Sequence, residues 1–316
     1  MALGLSYWAF KGIDVSKMFA SFKDAHLSWV LLGFVFTFFS HAFRGIRWRL
    51  LLEPMGYKTS VYSCISAVFI GYLTNLALPR AGEFARAGSL QKMDGVPAEK
   101  SFGTIVAERL IDVLALGILF LLTVVIEFER IRDLLILMFK GTSFNLHNVL
   151  IIGFILLAST LIIYLVRKKI EHLISNNSFL QKLKSMATGF KDGLLSILKI
   201  KKLGLFITYS IGIWLMYYLV TYCLLKALPV ESEVNLSVAL SVLVIGSVGM
   251  AVPSLGGLGS FHILVSAILI QYGFSKTESL GLATFQHSLN GILFLIILGA
   301  AGFLYSIFKS KPTLAA

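Results

Sequence analysis

The sequence predicts an all-α, polytopic membrane protein with about six to eight membrane segments, because helices of about 20 apolar residues span a bilayer. Of its 316 residues, 57% are hydrophobic and only 14% are charged, a composition that excludes a water-soluble domain. Several apolar stretches have the required length and carry at most one charge. These stretches are His26–Phe43, Thr104–Ile126, Asn148–Val166, Leu203–Leu225 and Leu280–Phe308.

The basic residues predict the orientation of these spans. The chain has a formal charge of +12, but its lysines and arginines lie in short loops beside apolar spans, which excludes a nucleic-acid partner and indicates membrane topology. The richest cluster is Arg167–Lys202, which we expect in the cytoplasm. Threading outward from that loop places the C-terminal tail with Lys309 and Lys311 in the cytoplasm too, in a bacterial inner membrane.

Two further apolar regions, Val61–Leu78 and Leu236–Tyr272, are interrupted by proline and glycine. The threading requires that each region begins and ends on the same side of the membrane. We therefore predict two re-entrant broken hairpins that enter from opposite faces.

The two halves of the chain show a weak inverted repeat. Leu78–Gly82 corresponds to Val252–Gly256, and Glu108–Asp112 corresponds to Gln286–Asn290. Chance similarity between apolar segments is the alternative. The prediction is a single transmembrane domain, 1–316, with pseudo-repeat halves of about 26–126 and 203–308. A span and a basic amphipathic segment, 147–202, link the halves, as in inverted-repeat transporters whose substrate site lies where the broken segments meet.

The first interrupted hairpin carries charged residues at its break. Pro79 lacks an amide hydrogen and Gly82 tolerates left-handed backbone, so both are candidate hinges. Asn75, which precedes the break, is a candidate substrate-binding residue. Arg80 and Arg86 have the planar guanidinium groups that bind phosphate oxygens. Glu83 lies at the i,i+3 spacing that allows a pair with Arg86. The alternative is that these charges reach the membrane interface and only set orientation.

Glu108, Arg109 and Asp112 lie within an apolar span, where ionisable groups usually mark a site or a pathway. Glu108 and Asp112 share a helix face, and Arg109 is within reach of Asp112. The alternative is an internal ion pair that joins helices. A combined role, in which Glu108 holds an arginine of the hairpin, is compatible with both.

The second break contains Pro253, a candidate hinge, and a group of glycines whose free amides favour an anion or whose small size favours close packing. These are Gly256, Gly257 and Gly259. Two histidines complete the candidate substrate-binding residues, His262 and His287, which either couple protons or serve as neutral donors between helices.

Two further groups of polar residues are predicted to lie at the membrane interface. Arg44, Arg47, Trp48 and Arg49 are predicted to end a span at the cytoplasmic interface, where positive charge and aromatic rings are common. Ile170–Ile200 alternates apolar residues with lysines and is predicted to be an amphipathic helix on the anionic leaflet.

The sequence contains none of the common hydrolase, metalloprotease, nucleotide-binding or dinucleotide-binding motifs. We therefore expect no catalytic residue, no cofactor and no metal. The two cysteines, Cys64 and Cys223, are assigned neither to a disulfide nor to a metal site.

Four segments together resemble the lysylphosphatidylglycerol synthase transmembrane-region family. They are Arg44–Leu52, Gly71–Arg86, Glu108–Asp112 and Pro253–Gly259. The resemblance implies a flippase-like bacterial multi-pass protein that handles aminoacylated or other anionic phospholipids, or a lipid-linked sugar. Two departures from the family are expected: no aminoacyltransferase domain follows Lys311, and Met1–Phe10 is too short for the first family span.

The leading prediction is a lipid flippase or transporter whose partner is a membrane phospholipid. In this hypothesis, arginines 80, 86 and 109 contact the headgroup phosphate, and the carboxylates position them. A non-catalytic subunit of a lipid-modifying or glycosyl-transferring enzyme is an alternative, and an intramembrane lipid-modifying enzyme is a weaker one. The sequence leaves open the lipid, the direction of transport and the oligomeric state.

Overall fold

The computed structural model describes residues 22–139, 178–252 and 255–309, which form helices and no strand. The α-helices are α1 (Leu27–Leu52), α2 (Val61–Ala77), α3 (Gly82–Asp94), α4 (Ala98–Ile126), α5 (Phe128–Phe139), α6 (Ser178–Leu195), α7 (Leu203–Lys226), α8 (Leu236–Ala251), α9 (Ser260–Gln271), α10 (Lys276–Ser288) and α11 (Phe294–Lys309). The predicted span Asn148–Val166, the hinge Pro253 and the terminal segments with Met1–Phe10 and Lys311 lie outside the described residues.

The prediction of an all-α, multi-pass membrane protein is confirmed. Among the described residues, four helical stretches are long and apolar enough to cross a bilayer: Leu27–Met55, Ala98–Ile126, Leu203–Lys226 and Lys276–Lys309. They contain four of the five predicted spans. The last of them joins α10 to α11 through a π-helical segment, Leu289–Leu293, and such local widening of a helix is frequent at functional sites.

The first interrupted region is an antiparallel helical hairpin. At its base, the Asp94 carboxylate at the end of α3 accepts hydrogen bonds from Ser60 N (2.8 Å) and Ser63 Oγ (2.9 Å) at the start of α2. At its tip, Ala81 N donates to Leu78 O at 3.1 Å and closes a turn around Pro79. Proline ends α2 there because it offers no amide hydrogen to a helix.

The second interrupted region is also an antiparallel hairpin, formed by α8 and α9. The Tyr272 hydroxyl, just after α9, lies 2.8 Å from Ser241 Oγ and donates to Ser237 O at 3.3 Å, so the end of α9 lies beside the start of α8. A short 3-10 turn, Leu255–Gly257, precedes α9. The chain therefore reverses direction at both breaks, as re-entrant hairpins require. Their insertion from opposite membrane faces stays a prediction.

Gly82 has a different role from the predicted one. The residue with left-handed backbone at the tip is Arg80, with φ of 67°, whereas Gly82 begins α3. A Cβ atom on Gly82 would overlap the carbonyl oxygen of Gly71 and lie 2.6 Å from the Asn75 amide group. Glycine is needed there because α2 and α3 approach closely, and Asn75 Oδ1 accepts from Gly82 N at 2.7 Å across the same contact.

The two hairpins contribute to different apolar clusters. One contains residues of α1, α2, α3 and the start of α4, and the other contains residues of α7, α8, α9 and α10. Helices α1 and α7 pack against each other, and α2 packs against α11. The turn Leu255–Gly257 of the second hairpin contacts α2 of the first, so the two tips meet inside the bundle.

The predicted amphipathic segment is helical over Ser178–Leu195, whereas residues 170–177 lie outside the described part. This helix, α6, packs against α4. The two helix backbones meet where Gly193 faces Gly103, because a Cβ atom on either glycine would overlap the backbone of the other helix. Contact with a lipid leaflet stays a prediction.

The variant Gly82→Ala tests the close contact at the first tip. We expect it to destabilise the protein by about 1–3 kcal/mol, because an added methyl group forces the two helices apart. Gly88→Ala is the matched control in the same helix, since a Cβ atom there meets nothing within 4 Å. Cys64 and Cys223 are free and buried, so thermal unfolding in detergent can be followed with a thiol-reactive dye. Equal melting temperatures for the two variants would contradict the packing described.

Candidate functional site

A buried group of charges joins α1 to α4. Arg44 and Arg47 are 3% and 0% exposed, and both contact the carboxylates of Glu108 and Asp112. Arg44 lies 3.0 Å from Glu108 and 2.9 Å from Asp112, and Arg47 lies 3.3 and 2.7 Å from the same two residues. Glu108 and Asp112 therefore each contact both arginines. These ion pairs offset the free-energy cost of burying the charges.

Arg86 joins the first hairpin to this group. Its two terminal nitrogens donate to the two Glu108 oxygens at 3.2 and 2.9 Å, and its guanidinium lies 4.0 Å from the centre of the Trp48 ring. The hypothesis that Glu108 holds a hairpin arginine is thus confirmed. The predicted pair between Glu83 and Arg86 is wrong, because Arg86 points inward to α4.

Glu83 instead pairs with Arg109 across the hairpin and α4, at 3.0 Å. Both side chains remain partly accessible, Arg109 at 40% and Glu83 at 26%. The predicted contact between Arg109 and Asp112 is present but long, at 3.9 Å. Arg109 is therefore the arginine of α4 that can turn towards a ligand.

The predicted interfacial role of Arg44, Arg47 and Trp48 is wrong. Helix α1 continues to Leu52, which places Arg44 about 12 Å from its end at 1.5 Å per residue. Trp48 is fully buried and its indole nitrogen donates to Thr104 Oγ1 at 2.8 Å. The helix continues past these arginines because α4 supplies their counter-charges. Arg49 alone is exposed.

A cavity of about 370 Å³ opens beside the charged group and is called the central cavity here. Its charged lining residues are Arg44, Arg109 and Asp112. Arg44 also donates to the Tyr217 hydroxyl at 3.2 Å. The other polar and aromatic lining residues are neutral: His41, Tyr72, Trp214, Tyr217, Thr221, Ser247, Phe261, Gln286 and Asn290.

A second cavity of about 240 Å³ lies between the two hairpin tips and is called the tip cavity. Asn75, Pro79, Arg80 and Glu83 line it from the first hairpin, and Gly256 and Gly257 line it from the second. Tyr72, Met250, Gly291 and Leu295 border both cavities, so the two spaces adjoin.

Arg80 occupies an unusual backbone position in this tip. Its φ of 67° follows Pro79 in a hydrogen-bonded turn, which is the geometry of a type II turn, where glycine is the preferred residue. Left-handed backbone costs a residue with a Cβ atom about 1–2 kcal/mol. The side chain is exposed and borders the tip cavity.

The second tip is fixed by a histidine. His287 Nε2 lies 2.8 Å from the carbonyl oxygen of Gly256, and the His262 ring lies 4.9 Å from the His287 ring. Both histidines are buried and neither borders the two cavities. Gly259 caps the start of α9 with φ of 84°. The two histidines and Gly259 therefore stabilise the second tip, and the histidines do so without lining either cavity.

The corresponding motifs of the two halves make corresponding contacts. In the first half, Arg109 holds the first hairpin through Glu83, and Asp112 binds α1. In the second half, His287 holds the second hairpin through Gly256. Gln286, the counterpart of Glu108, donates through Nε2 to Thr221 Oγ1 on α7 at 3.2 Å, as Glu108 binds α1. Asn290, the counterpart of Asp112, instead accepts from Thr37 on α1, in the other half, at 2.9 Å.

An apolar groove of about 410 Å³ lies between α4, α7 and α8. Ala115, Ile118, Leu215 and Leu240 are among its lining residues, and Trp214 and Leu243 border both this groove and the central cavity. A space that suits hydrocarbon therefore adjoins a space that suits a polar group.

The sequence-based prediction found the acidic residues but missed much of the cavity. Arg44 and Arg47, three residues apart, share one helix face, as do Glu108 and Asp112, four residues apart. These two pairs of opposite charge were the available signal for a contact between the helices. The four-residue spacing of Gln286 and Asn290 was a second signal, for polar residues on one face. Tyr72 and Trp214 had none, since aromatic residues in apolar spans usually indicate packing.

Known proteins that resemble this chain match different shares of its length. The chain is 31% identical over 106 residues to Glycosyltransferase AglD of Haloferax volcanii, a match that covers 33% of this chain and 17% of that protein. It is 28% identical over 170 residues to a UPF0104 membrane protein of Methanocaldococcus jannaschii, covering 52% of this chain and 46% of the relative. A UPF0104 membrane protein of Pyrococcus horikoshii is 24% identical over 301 residues, covering 87% and 85%.

No solved structure matches the chain. The family model described as "Lysylphosphatidylglycerol synthase TM region" matches residues 1–299, which is nearly the whole sequence and includes both hairpins and the buried charges. The chain therefore belongs to the lysylphosphatidylglycerol synthase TM region family.

Proposed function

We propose that the protein is a lipid flippase that moves an anionic amphiphile across the membrane. The observation that carries the proposal is the pair of adjoining cavities, one beside the buried charges and one between the hairpin tips, both lined by arginines and with an apolar groove beside the central cavity. An anionic headgroup fits the arginines, and a hydrocarbon chain fits the groove, so one amphiphile satisfies both.

Arg109 and Arg80 are the arginines that best suit a phosphate in this proposal. Arg109 is partly accessible and has one carboxylate partner at hydrogen-bond distance, and Arg80 is exposed at the tip cavity. Arg86 gives its terminal nitrogens to Glu108 and serves to position the hairpin. Gly256 and Gly257 form the opposite wall.

In this hypothesis, the two hairpins move during transport. Their antiparallel form, and the matching contacts of Arg109 and His287, support an inverted repeat in which each tip closes one side of the cavity. We place the protein in the cytoplasmic membrane with its C-terminus in the cytoplasm, as the basic loops predict.

Arg109→Gln and Glu108→Gln should have different effects. Loss of Arg109 removes a ligand to phosphate and one partly exposed ion pair worth about 1 kcal/mol, so the protein stays folded and translocation falls at least about tenfold. Loss of the Glu108 charge leaves three buried arginines short of a partner and should cost about 3–5 kcal/mol.

The measurement is dithionite quenching of tail-labelled fluorescent phosphatidylglycerol in proteoliposomes, together with thermal unfolding. Normal translocation by well-folded Arg109→Gln protein would remove Arg109 from the site. A stable Glu108→Gln variant would show that the buried charges do not hold the helices together.

Arg80→Gly separates stability from function at the first tip. Glycine accepts φ of 67° without strain, so we expect a melting temperature equal to or above that of the parent, with a gain of up to about 1 kcal/mol. Translocation should fall because the guanidinium is lost. Arg80→Lys is the matched control that keeps the charge and should retain part of the activity. Full activity of Arg80→Gly would assign Arg80 to orientation only.

Ala115→Trp tests the apolar groove, because the indole would fill space between α4 and α7. We expect slower translocation of the labelled lipid with unchanged folding. Val125→Trp is the control on the same helix, at a position that is 79% exposed and outside the groove. Equal rates for the two variants would exclude the groove from the lipid path.

A second candidate function is a non-catalytic subunit that partners a lipid-modifying or glycosyl-transferring enzyme. The match to part of a protein named glycosyltransferase favours it. Purified protein that fails to move any lipid alone, but co-purifies with such an enzyme, would support this alternative. An intramembrane enzyme that uses Glu108 as acid or base is disfavoured, because arginines hold both of its oxygens.

A further inference from the structure

The lining of the central cavity combines two kinds of chemistry, and both bear on the headgroup. Arg44, Arg109 and Asp112 are charged, whereas the other polar lining residues are neutral and offer hydroxyl, amide and aromatic groups. A ligand that satisfies both kinds of residue needs an anionic group and a neutral hydrogen-bonding group.

The charges of the site favour an anion and oppose a cation. The site has more arginines than carboxylates, so positive charge is in excess. The five arginines are Arg44, Arg47, Arg80, Arg86 and Arg109, and the three carboxylates are Glu83, Glu108 and Asp112. Among the residues described, the carboxylates that border the cavities are Glu83 and Asp112, and arginines already hold both. An ammonium group would find no uncommitted carboxylate there, and like-charge contact costs several kcal/mol.

Neutral side chains around the central cavity have unsatisfied hydrogen-bonding capacity. In the described part of the chain, Trp214 Nε1 and Gln286 Oε1 are buried atoms without a hydrogen-bond partner, as is His41 Nδ1. Buried polar atoms usually have partners, so these three side chains around one cavity suit a ligand with several hydroxyl groups. The Trp214 and Tyr217 rings lie edge to face, with centroids 5.8 Å apart, and offer apolar surface to a ring.

We propose that the headgroup is a phosphate that carries a neutral, hydroxyl-rich substituent, the class of glycosyl phosphate lipids, and not a cationic aminoacyl group. This inference rests on the proposed lipid-translocating function. The phosphate lies towards Arg109 and Arg80, and the hydroxyl groups lie against Trp214, Gln286 and Asn290. The central cavity, at about 370 Å³, falls in the range of small-ligand sites.

The experiment compares three lipids on the full chain by native mass spectrometry: glucosyl phosphate polyprenol, phosphatidylglycerol and lysylphosphatidylglycerol. We expect half-occupancy by the glucosyl lipid at a concentration at least about tenfold below that for the lysyl lipid, with phosphatidylglycerol between them. Soluble glucose 1-phosphate should compete better than inorganic phosphate, which distinguishes the whole headgroup from a phosphate alone.

Two variants locate the preference within the cavity. Trp214→Phe should reduce the preference for the glucosyl lipid over phosphatidylglycerol, whereas Trp29→Phe, whose ring packs against Tyr222, should not. Asn290→Asp retains an acceptor for Thr37 and adds a carboxylate beside the cavity. It should narrow the gap between the lysyl and glucosyl lipids several-fold.

Each outcome decides the inference. Equal or tighter occupancy by the lysyl lipid would overturn it, as would lipid preferences that Trp214→Phe and Asn290→Asp leave unchanged. If phosphatidylglycerol is still translocated in those cases, the proposed function stands and only the headgroup assignment falls. If no lipid binds or moves, both fall.

Discussion

The arrangement of the first half depends on one physical constraint, which is that arginines within a membrane bundle need counter-charges. Arg44 and Arg47 on α1 and Arg86 on α3 converge on Glu108 and Asp112 of α4. An unpaired charge in hydrocarbon is expensive, so the three helices can pack only in the register that brings these groups together. The hairpin tip, the accessible Arg109 and the shape of the central cavity follow from that register.

The two halves use similar backbones for different chemistry. In the first half, ion pairs hold the hairpin and its neighbouring helices. In the second half, a hydrogen bond between His287 and the Gly256 carbonyl oxygen and a hydrogen bond from Gln286 to Thr221 of α7 make the corresponding contacts. The lining of the central cavity therefore combines charged residues of the first half with neutral polar residues that come mainly from the second half. A ligand with only charged or only neutral polar groups leaves some of these residues without a hydrogen-bond partner.

The sequence was sufficient for the helices and for part of the site. Glu108 and Asp112 were recognisable because ionisable residues are rare in apolar spans, and the two breaks were recognisable from proline and glycine. Arg44 and Arg47 were assigned to the interface because the positive-inside rule explains arginines near a span end without any partner. Their partners lie 64 or 65 residues further along the chain, and single-sequence patterns carry no information on such contacts.

Other features depended on three-dimensional packing alone. The left-handed backbone predicted for Gly82 belongs to Arg80, and Gly82 is instead required by the nearby backbone of Gly71. Trp214 and Tyr72 became cavity residues only once α7, α2 and α4 were placed around the same cavity. The matching contacts of Arg109 and His287 support the repeat that the motifs indicated, although their side chains share no chemistry.

The order of the charged residues along the chain has a consequence for biosynthesis. Helix α1 leaves the ribosome before α4, so Arg44 and Arg47 emerge more than sixty residues ahead of their carboxylates. The C-terminal third of α1 is therefore a poor candidate for early release into lipid, since its arginines have no counter-charge at that stage. The insertion machinery must retain this segment, or leave it near the aqueous surface, until helices α1–α4 can enter the bilayer together.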